Sequence, residues 1–204
     1  MDQLRLKRGV RLEPVVRVPR LREFPGLLFR DQDKEITQEN RRSVCFTGHR
    51  HLSIGDLFVL TDRLDKLLML CYEHGYRDFL CGGALGFDML AAERVLRLQC
   101  QHDDIRLILV IPCSDQSNRW AAPDVRRYER LLYAADHIRV LSPDYYEGCM
   151  QVRNRYMVDH SSLCISYLRH QKGGTASTVA YALKQQITVL NVAMENVCAA
   201  FPTG

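Results

Sequence analysis

The 204-residue sequence lacks any apolar run long enough to span a membrane, since its longest is Leu67–Tyr72 and a spanning helix needs about 20 residues. None of its eight cysteines forms a C-x-x-C pair, which excludes the zinc-ribbon and thioredoxin spacings. Cys45, Cys81 and Cys164 lie in short apolar runs, where a free thiol behaves as a small buried hydrophobe. These features predict a cytoplasmic protein with reduced thiols, no membrane contact, no metal site and no required cofactor.

The sequence also lacks a surplus of charge over most of its length. The net charge is +4, but residues 1–42 hold 11 Lys and Arg against 7 Asp and Glu, which leaves 17 of each in residues 43–204. A nucleic-acid-binding domain normally carries its basic surplus on its folded part. The balance therefore predicts that nucleic acid is not a partner of residues 43–204.

The first 42 residues read as an N-terminal extension that is basic and flexible, followed by a single domain over residues 43–204. Three prolines fall at short intervals and the tract 30–42 is almost wholly polar, as is typical of segments without regular structure. An alternative is a short strand that pairs with a sheet edge, because apolar residues cluster at Val15, Val16, Val18 and Leu21.

From Ser43 onward, short apolar segments alternate with segments of helical periodicity. This alternation is typical of a doubly wound parallel α/β sheet covered by helices on both faces. Six strands and five helices are predicted. The strands are centred on residues 44–46, 78–81, 106–112, 137–141, 163–167 and 187–192.

Glycine-rich loops follow several of these strands. TGHR (47–50, with Gly48), GGALGFD (82–88, with Gly82, Gly83 and Gly86) and KGGT (172–175, with Gly173, Gly174 and Thr175) precede predicted helices. Ligands of open parallel sheets bind beyond the carboxyl ends of the strands, and helix N-termini bind anions. The loops therefore predict a ligand with phosphates, unless the glycines serve only tight turns. Neither the G-x-G-x-x-G fingerprint nor a P-loop is present, so classical NAD or ATPase binding does not follow.

Charged side chains in the same loops are candidate ligand contacts. Arg50 and Arg153 can clamp a phosphate bidentately, and His49 flanks Arg50. Arg153 and Asn154 are predicted to begin a helix that faces the crevice. Asp88 lies in the first turn of its helix, where a carboxylate either complements the helix dipole or binds a ribose diol.

The order of these motifs resembles the YpsA-like branch of the SLOG superfamily, from about Ser43 to Ala193. The motifs that carry the resemblance are TGHR, GGALGFDMLAAE (82–93), RNRYMVDHS (153–161) and GGTASTVAYA (173–182). The resemblance implies a Rossmann-like, three-layer αβα fold. It also implies a pocket for a nucleotide or an ADP-ribose-like molecule at the loops above, in a sensor or regulatory protein.

Related families supply two alternative functions. The LOG phosphoribohydrolases carry R-K-x-x-M and P-G-G-x-G-T-x-x-E elements, and 153–157 resembles the first with Asn154 for lysine. The glutamate position of the second falls on Thr178, which cannot act as the carboxylate of an N-glycosidase. An enzyme acting on nucleoside monophosphates would need Asp88 instead. The second alternative is a single-stranded-DNA-binding module like the DNA-processing proteins. A homodimer is a further option for an α/β sheet with exposed apolar helix faces.

Overall fold

The structure, a computed structural model, describes residues 42–202. The predicted flexible extension lies outside the described residues, apart from Arg42. In chain order the elements are β1 (Arg42–Gly48), α1 (Ile54–Glu73), β2 (Tyr76–Cys81), α2 (Phe87–Gln99), β3 (Arg106–Ile111), α3 (Ala122–Ala134), β4 (His137–Val140), α4 (Cys149–Asp159), β5 (Leu163–Tyr167), α5 (Gly174–Lys184), β6 (Thr188–Asn191) and a 3₁₀ turn (Val197–Ala200).

The six strands form one parallel sheet in the order β4-β3-β2-β1-β5-β6. The central strands are buried on both faces, as the continuous apolar runs predict. Along β1, Val44 and Phe46 join one core cluster, which α1, α2 and α3 cover, while Cys45 joins a second cluster with residues of α4 and α5. The predicted doubly wound, three-layer αβα fold is confirmed.

The chain reverses its direction of travel across the sheet between β1 and β5. From β1 it adds β2, β3 and β4 on one side, and α4 then returns it to β5 on the other side. The switch point of the sheet therefore lies between β1 and β5, and open α/β sheets bind ligands at the carboxyl edge beside such a point. The predicted glycine-rich loops lie at this edge.

Helix α1 begins at Ile54, where the Ser53 hydroxyl accepts the Asp56 backbone N–H and caps the helix. The start of α4 differs from the prediction. Helix α4 begins at Cys149, after Gly148 in a left-handed conformation. Arg153 and Asn154 therefore lie in its second turn and do not begin it.

Within residues 42–202, no helix is both long enough and apolar enough to cross a bilayer. The eight cysteines are free, and six of them are buried. Burial in the core raises the pKa of the Cys71 and Cys81 thiols, so these two cysteines remain protonated and act as apolar core residues.

Candidate functional site

A buried ion pair lies at the carboxyl end of β2. Arg153 of α4 and Asp88 of α2 are only 4% and 5% exposed, and Arg153 Nη1 is 3.9 Å from Asp88 Oδ2. Gly82 lies directly against both groups, so that a side chain there would overlap the guanidinium and approach the carboxylate to 2.7 Å. Glycine at position 82 is therefore required by the close approach of this pair.

The Asp88 carboxylate is also bound by the loop that precedes its helix. The backbone N–H groups of Gly82 and Ala84 donate to it, and burial raises its pKa to about 6, although Arg153 opposes that shift. Desolvation disfavours the charged form more than the arginine and the two amides stabilise it. The GGALGFD loop thus already holds an anion, which is its own aspartate.

A chain of hydrogen bonds connects Arg153 to the first turn of α5. Arg153 Nε donates to Asn154 Oδ1 (2.8 Å), and Asn154 Nδ2 donates to Thr178 Oγ1 (2.8 Å). The Thr178 hydroxyl in turn donates to the Gly174 carbonyl (2.8 Å). Hydrogen bonds therefore connect the motifs RNRYM and GGTAST, whose first residues are 20 positions apart in the sequence. Thr178 is a link in this chain.

Three buried polar atoms around Gly82 and Gly83 lack a hydrogen-bond partner among residues 42–202, namely Arg153 Nη1, Tyr128 Oη and Gln116 Oε1. Tyr128 and Gln116 interact electrostatically without a hydrogen bond of standard geometry. Gln116 Nε2 donates weakly to the Gly82 and Gly83 carbonyls, at 3.3 and 3.4 Å. Buried polar groups are rarely left unsatisfied, so this cluster of three is a candidate for polar contacts with a ligand or water.

The other glycines of the first two loops allow close packing. A Cβ at Gly48 would overlap Phe87, and one at Gly86 would overlap the Arg50 backbone. Gly83 and Gly86 have φ of +59° and +81°, a region that glycine adopts without strain. These positions hold the β1 loop against the start of α2, where the Phe87 N–H donates to the His49 carbonyl at 3.1 Å.

The loop before α5 is different because it is open to solvent. Gly173 and Gly174 are exposed, and an added Cβ at either would meet nothing within 4 Å. Helix α5 has no side-chain cap and no acidic residue in its first turn, whereas α1 is capped by Ser53 and carries Asp56 there. The exposed N-terminus of α5, which is followed by the buried Thr175, therefore has backbone N–H groups available to an anion.

His49 joins the loops after β1 and β5. Its Nε2 accepts the backbone N–H of Arg169 at 2.9 Å and lies 3.4 Å from that of His170, which requires an unprotonated Nε2. Partial burial lowers the pKa of His49, with further lowering from the charges of His170 and Arg169. The neutral imidazole thus links the loops after β1 and β5 at the switch point.

Exposed basic residues lie in the loops after β1 and β5. Arg50, His51, Arg169, His170 and Lys172 are all exposed. Arg169 donates to Asp56 Oδ2 at 2.8 Å, and that oxygen also accepts the Tyr167 hydroxyl at 3.1 Å. The positive charge of Arg50 lowers the pKa of Asp88. The domain is neutral overall, but its charge is not evenly distributed.

Sequence patterns did not single out Gln116, Tyr128 or the role of Thr178. Gln116 follows the strongest predicted strand in the polar run Ser114-Asp115-Gln116, which was a usable signal. Tyr128 has the spacing of an ordinary core residue of α3, and only the structure shows that its hydroxyl points at the glycine loop. Among residues 42–202, no cluster of three His, Cys, Asp or Glu could hold a metal ion.

A cavity of about 560 Å³ lies between β6 and the C-terminal turn. Most of its lining is apolar, and its one charged side chain is Glu195; the lining residues are Val189, Leu190, Asn191, Ala193, Met194, Glu195, Asn196, Val197 and Ala200. Its chemistry does not suit a phosphate, so the buried polar cluster and the α5 N-terminus remain the candidate ligand site.

Comparison with known families identifies the group to which this arrangement belongs. The model of the YspA SLOG family matches residues 44–197, which include every motif described above. The chain belongs to the YspA SLOG family. The resemblance inferred from the order of the motifs is therefore confirmed.

Two relatives show how far this family similarity extends. The SPbeta prophage-derived protein YoqJ of Bacillus subtilis strain 168 is 35% identical over 137 residues, which cover 59% of this chain and 80% of YoqJ. A UPF0398 protein of Halalkalibacterium halodurans is 30% identical over 142 residues, covering 68% of this chain and 74% of the relative.

Solved structures with the same fold include two DNA processing proteins A. The Helicobacter pylori protein, described for its single-stranded DNA binding mode, has a TM-score of 0.53 at 22% identity and 72% coverage of this chain. The Streptococcus pneumoniae protein has a TM-score of 0.55 at 17% identity and 73% coverage. This SLOG chain spans only 63% and 49% of those two chains, and at such identities the likeness supports the fold alone.

The close approach at Gly82 predicts a costly substitution. Gly82→Ala would displace the Arg153 guanidinium, and overpacking of a tight site typically costs about 1–3 kcal/mol. Urea unfolding at pH 7 measures the loss. Gly55→Ala is the matched control, since an added Cβ in the first turn of α1 meets nothing within 4 Å. Equal stability of the two variants would contradict the packing described for Gly82.

The neutral state of His49 predicts a pH dependence of stability. Because the folded pKa is lowered, His49 contributes stability above its unfolded pKa of about 6.5, and this is lost as pH falls through the folded pKa. The pKa of Asp88 is raised, so its contribution to the free energy of unfolding changes with pH in the opposite direction over the same range. His49→Gln keeps a hydrogen-bond acceptor without titrating, so the wild type should lose more stability than this variant between pH 7 and pH 5. Parallel pH curves of the free energy of unfolding would contradict the assignment.

Proposed function

We propose that this SLOG protein binds a nucleotide-derived ligand, a nucleotide or an ADP-ribose-like molecule, and serves as a sensor or regulator. The observation that carries the proposal is the exposed, uncapped N-terminus of α5 at the switch point, coupled through Thr178 and Asn154 to the buried Arg153. A helix N-terminus has N–H groups that can bind an anion, and Arg153 Nη1 is a donor without a hydrogen-bond partner among residues 42–202. Together these groups suit a phosphate or diphosphate.

In this proposal the ligand uses the groups that the protein leaves available. The phosphates lie on the amides at Gly173, Gly174 and Thr175, with Arg153 Nη1 and Arg50 supplying positive charge. The Gly82 and Ala84 amides bind Asp88 in the structure, so the second glycine loop contributes through Asp88 and Arg153. Tyr128 Oη and Gln116 Oε1 are suited to sugar hydroxyls.

A binding role is favoured over catalysis by the identity of residue 178. Its hydroxyl donates to Gly174 and accepts from Asn154, so it orients the arginine and has no free proton-transfer function. A glycosidase needs a carboxylate at the reacting centre. The carboxylate nearest to Arg153 is Asp88, which is nearly fully buried and bound by two backbone amides.

The proposal predicts micromolar or tighter binding of at least one of ADP-ribose, AMP and NAD in isothermal titration calorimetry. Gly174→Ala places a methyl group in the open space where the phosphate would lie, so affinity for that ligand should fall at least tenfold. Gly55→Ala, also a first-turn glycine with open space around it, should bind like the wild type. Silence with all three ligands, or equal affinities for the two variants, would refute the proposal.

A second candidate function is single-stranded DNA binding. Exposed basic residues in the loops after β1 and β5 include Arg50, Arg169 and Lys172. They weaken the argument that a neutral net charge excludes nucleic acid. Phe58, in α1, is 84% exposed. Basic grooves with exposed aromatic residues are typical of single-strand binding. The family likeness does not decide between the two candidates.

Salt titration separates this candidate from the first. With a fluorescent oligonucleotide, the slope of log affinity against log salt should be about 0.7 per phosphate contact. Arg50→Gln with Lys172→Gln should therefore reduce the slope by about 1.4. Arg97→Gln with Lys184→Gln, in the last turns of α2 and α5 at the opposite sheet edge, is the charge-matched control. Absence of oligonucleotide binding at low salt would eliminate this candidate.

A further inference from the structure

We propose that the Arg153–Asp88 pair accepts the anionic group of the ligand together with one proton from solvent, which resides on the Asp88 carboxyl group. This inference rests on the proposed nucleotide-ligand function and specifies the chemistry of the same site. Its ligand class is a phosphate- or diphosphate-bearing molecule whose binding strengthens as pH falls.

The geometry of the pair leaves one donor of the guanidinium without a hydrogen-bond partner in the described part of the chain. Arg153 Nη1 is 3.9 Å from Asp88 Oδ2, which is beyond hydrogen-bond distance, and it has no other partner among residues 42–202. The Nε of the same guanidinium is already held by Asn154. One edge of the arginine is thus fixed, and the other presents an unused donor.

An anion at that donor would create a charge imbalance. Two negative groups would then share one buried guanidinium, and a like charge nearby disfavours ionisation of a carboxylate. Asp88 is the group that can respond, because it is 5% exposed and burial already raises its pKa to about 6. Once protonated, its carboxyl group becomes an O–H donor, which can be directed at a ligand oxygen.

The other titratable and charged groups around Asp88 do not supply the proton. From β2, β5, α3 and the loop after β1, the groups that interact with the pair are Cys81, Cys164, Tyr128 and Arg50. Burial raises the pKa of Cys81 and of Tyr128, and Cys164 is raised chiefly by its hydrogen bond with Cys45. All three therefore stay protonated at neutral pH. His49 lies on the same loop as Arg50 and titrates below its usual range, so it needs its own control.

The expected pH dependence follows from linkage. The ligand raises the Asp88 pKa above its free value, so the complex binds more protons than the free protein between the two pKa values. In that window, above about pH 6, affinity should fall by up to tenfold for each unit rise in pH. At pH 7 the proton uptake should approach one per ligand.

Calorimetry with ADP-ribose measures this uptake directly. Titrations at pH 7 in two buffers of different ionisation enthalpy give the number of protons taken up from the difference in observed heat. ADP-ribose is the probe because its two phosphates have no ionisation near neutral pH, whereas a phosphate monoester such as AMP titrates near pH 6. The expected number is close to one for the wild type and close to zero for Asp88→Asn.

Two further variants make the assignment specific. Asp124→Asn removes an acidic residue from the first turn of α3, as Asp88→Asn does in the first turn of α2, and should leave the proton number unchanged. His49→Gln should leave it unchanged as well. Uptake that persists in Asp88→Asn, or disappears in His49→Gln, would overturn the role of Asp88.

The wild-type result distinguishes the two proposals. Binding of ADP-ribose with no proton uptake would overturn this inference and leave the proposed function intact. Absence of binding by ADP-ribose, AMP and NAD alike would overturn the proposed ligand class and this inference with it. The wild-type proton number does not depend on the folding of any variant, so the inference remains testable even if Asp88→Asn is unstable.

Discussion

The buried pair of Arg153 and Asp88 is the constraint on which the rest of the site depends. Arg153 comes from a helix on one face of the sheet and Asp88 from a helix on the other, and they meet at the end of β2. Two charges this deeply buried are tolerated only as partners with further hydrogen bonds. That requirement explains the glycine at position 82, the two amides on Asp88 and the Asn154–Thr178 link to α5.

The glycine-rich loops consequently have two different roles. In the loops after β1 and β2, Gly48, Gly82 and Gly86 permit contacts that a Cβ would block. In the loop before α5, Gly173 and Gly174 face open space. Sequence patterns that suggest one shared phosphate cradle therefore combine an internal packing motif with an exposed helix N-terminus, and the hydrogen-bond chain through Asn154 connects the two.

Most of the fold could be predicted because local patterns determine it. The apolar run ended by Pro112 and the amphipathic spacing within α1 each depend on a few neighbouring residues. The reversal between β1 and β5 and the burial of Arg153 depend on contacts between distant segments, which periodicity does not encode. The sequence pattern places Arg153 at a helix start facing the ligand crevice. The second-turn position in α4 instead directs it over the sheet, toward a carboxylate 65 positions earlier in the chain.

Threonine at position 178 fits the charge balance of this site. A carboxylate there would lie beside Asn154 and near Arg153, and it would compete with Asp88 for the single buried guanidinium. With Thr178 the arginine has one carboxylate partner at 3.9 Å and retains a free donor. A neutral hydroxyl also donates to Gly174 without burying another charge. Threonine at this position therefore leaves Arg153 with a single carboxylate partner, which is the charge balance that the proposed binding role requires.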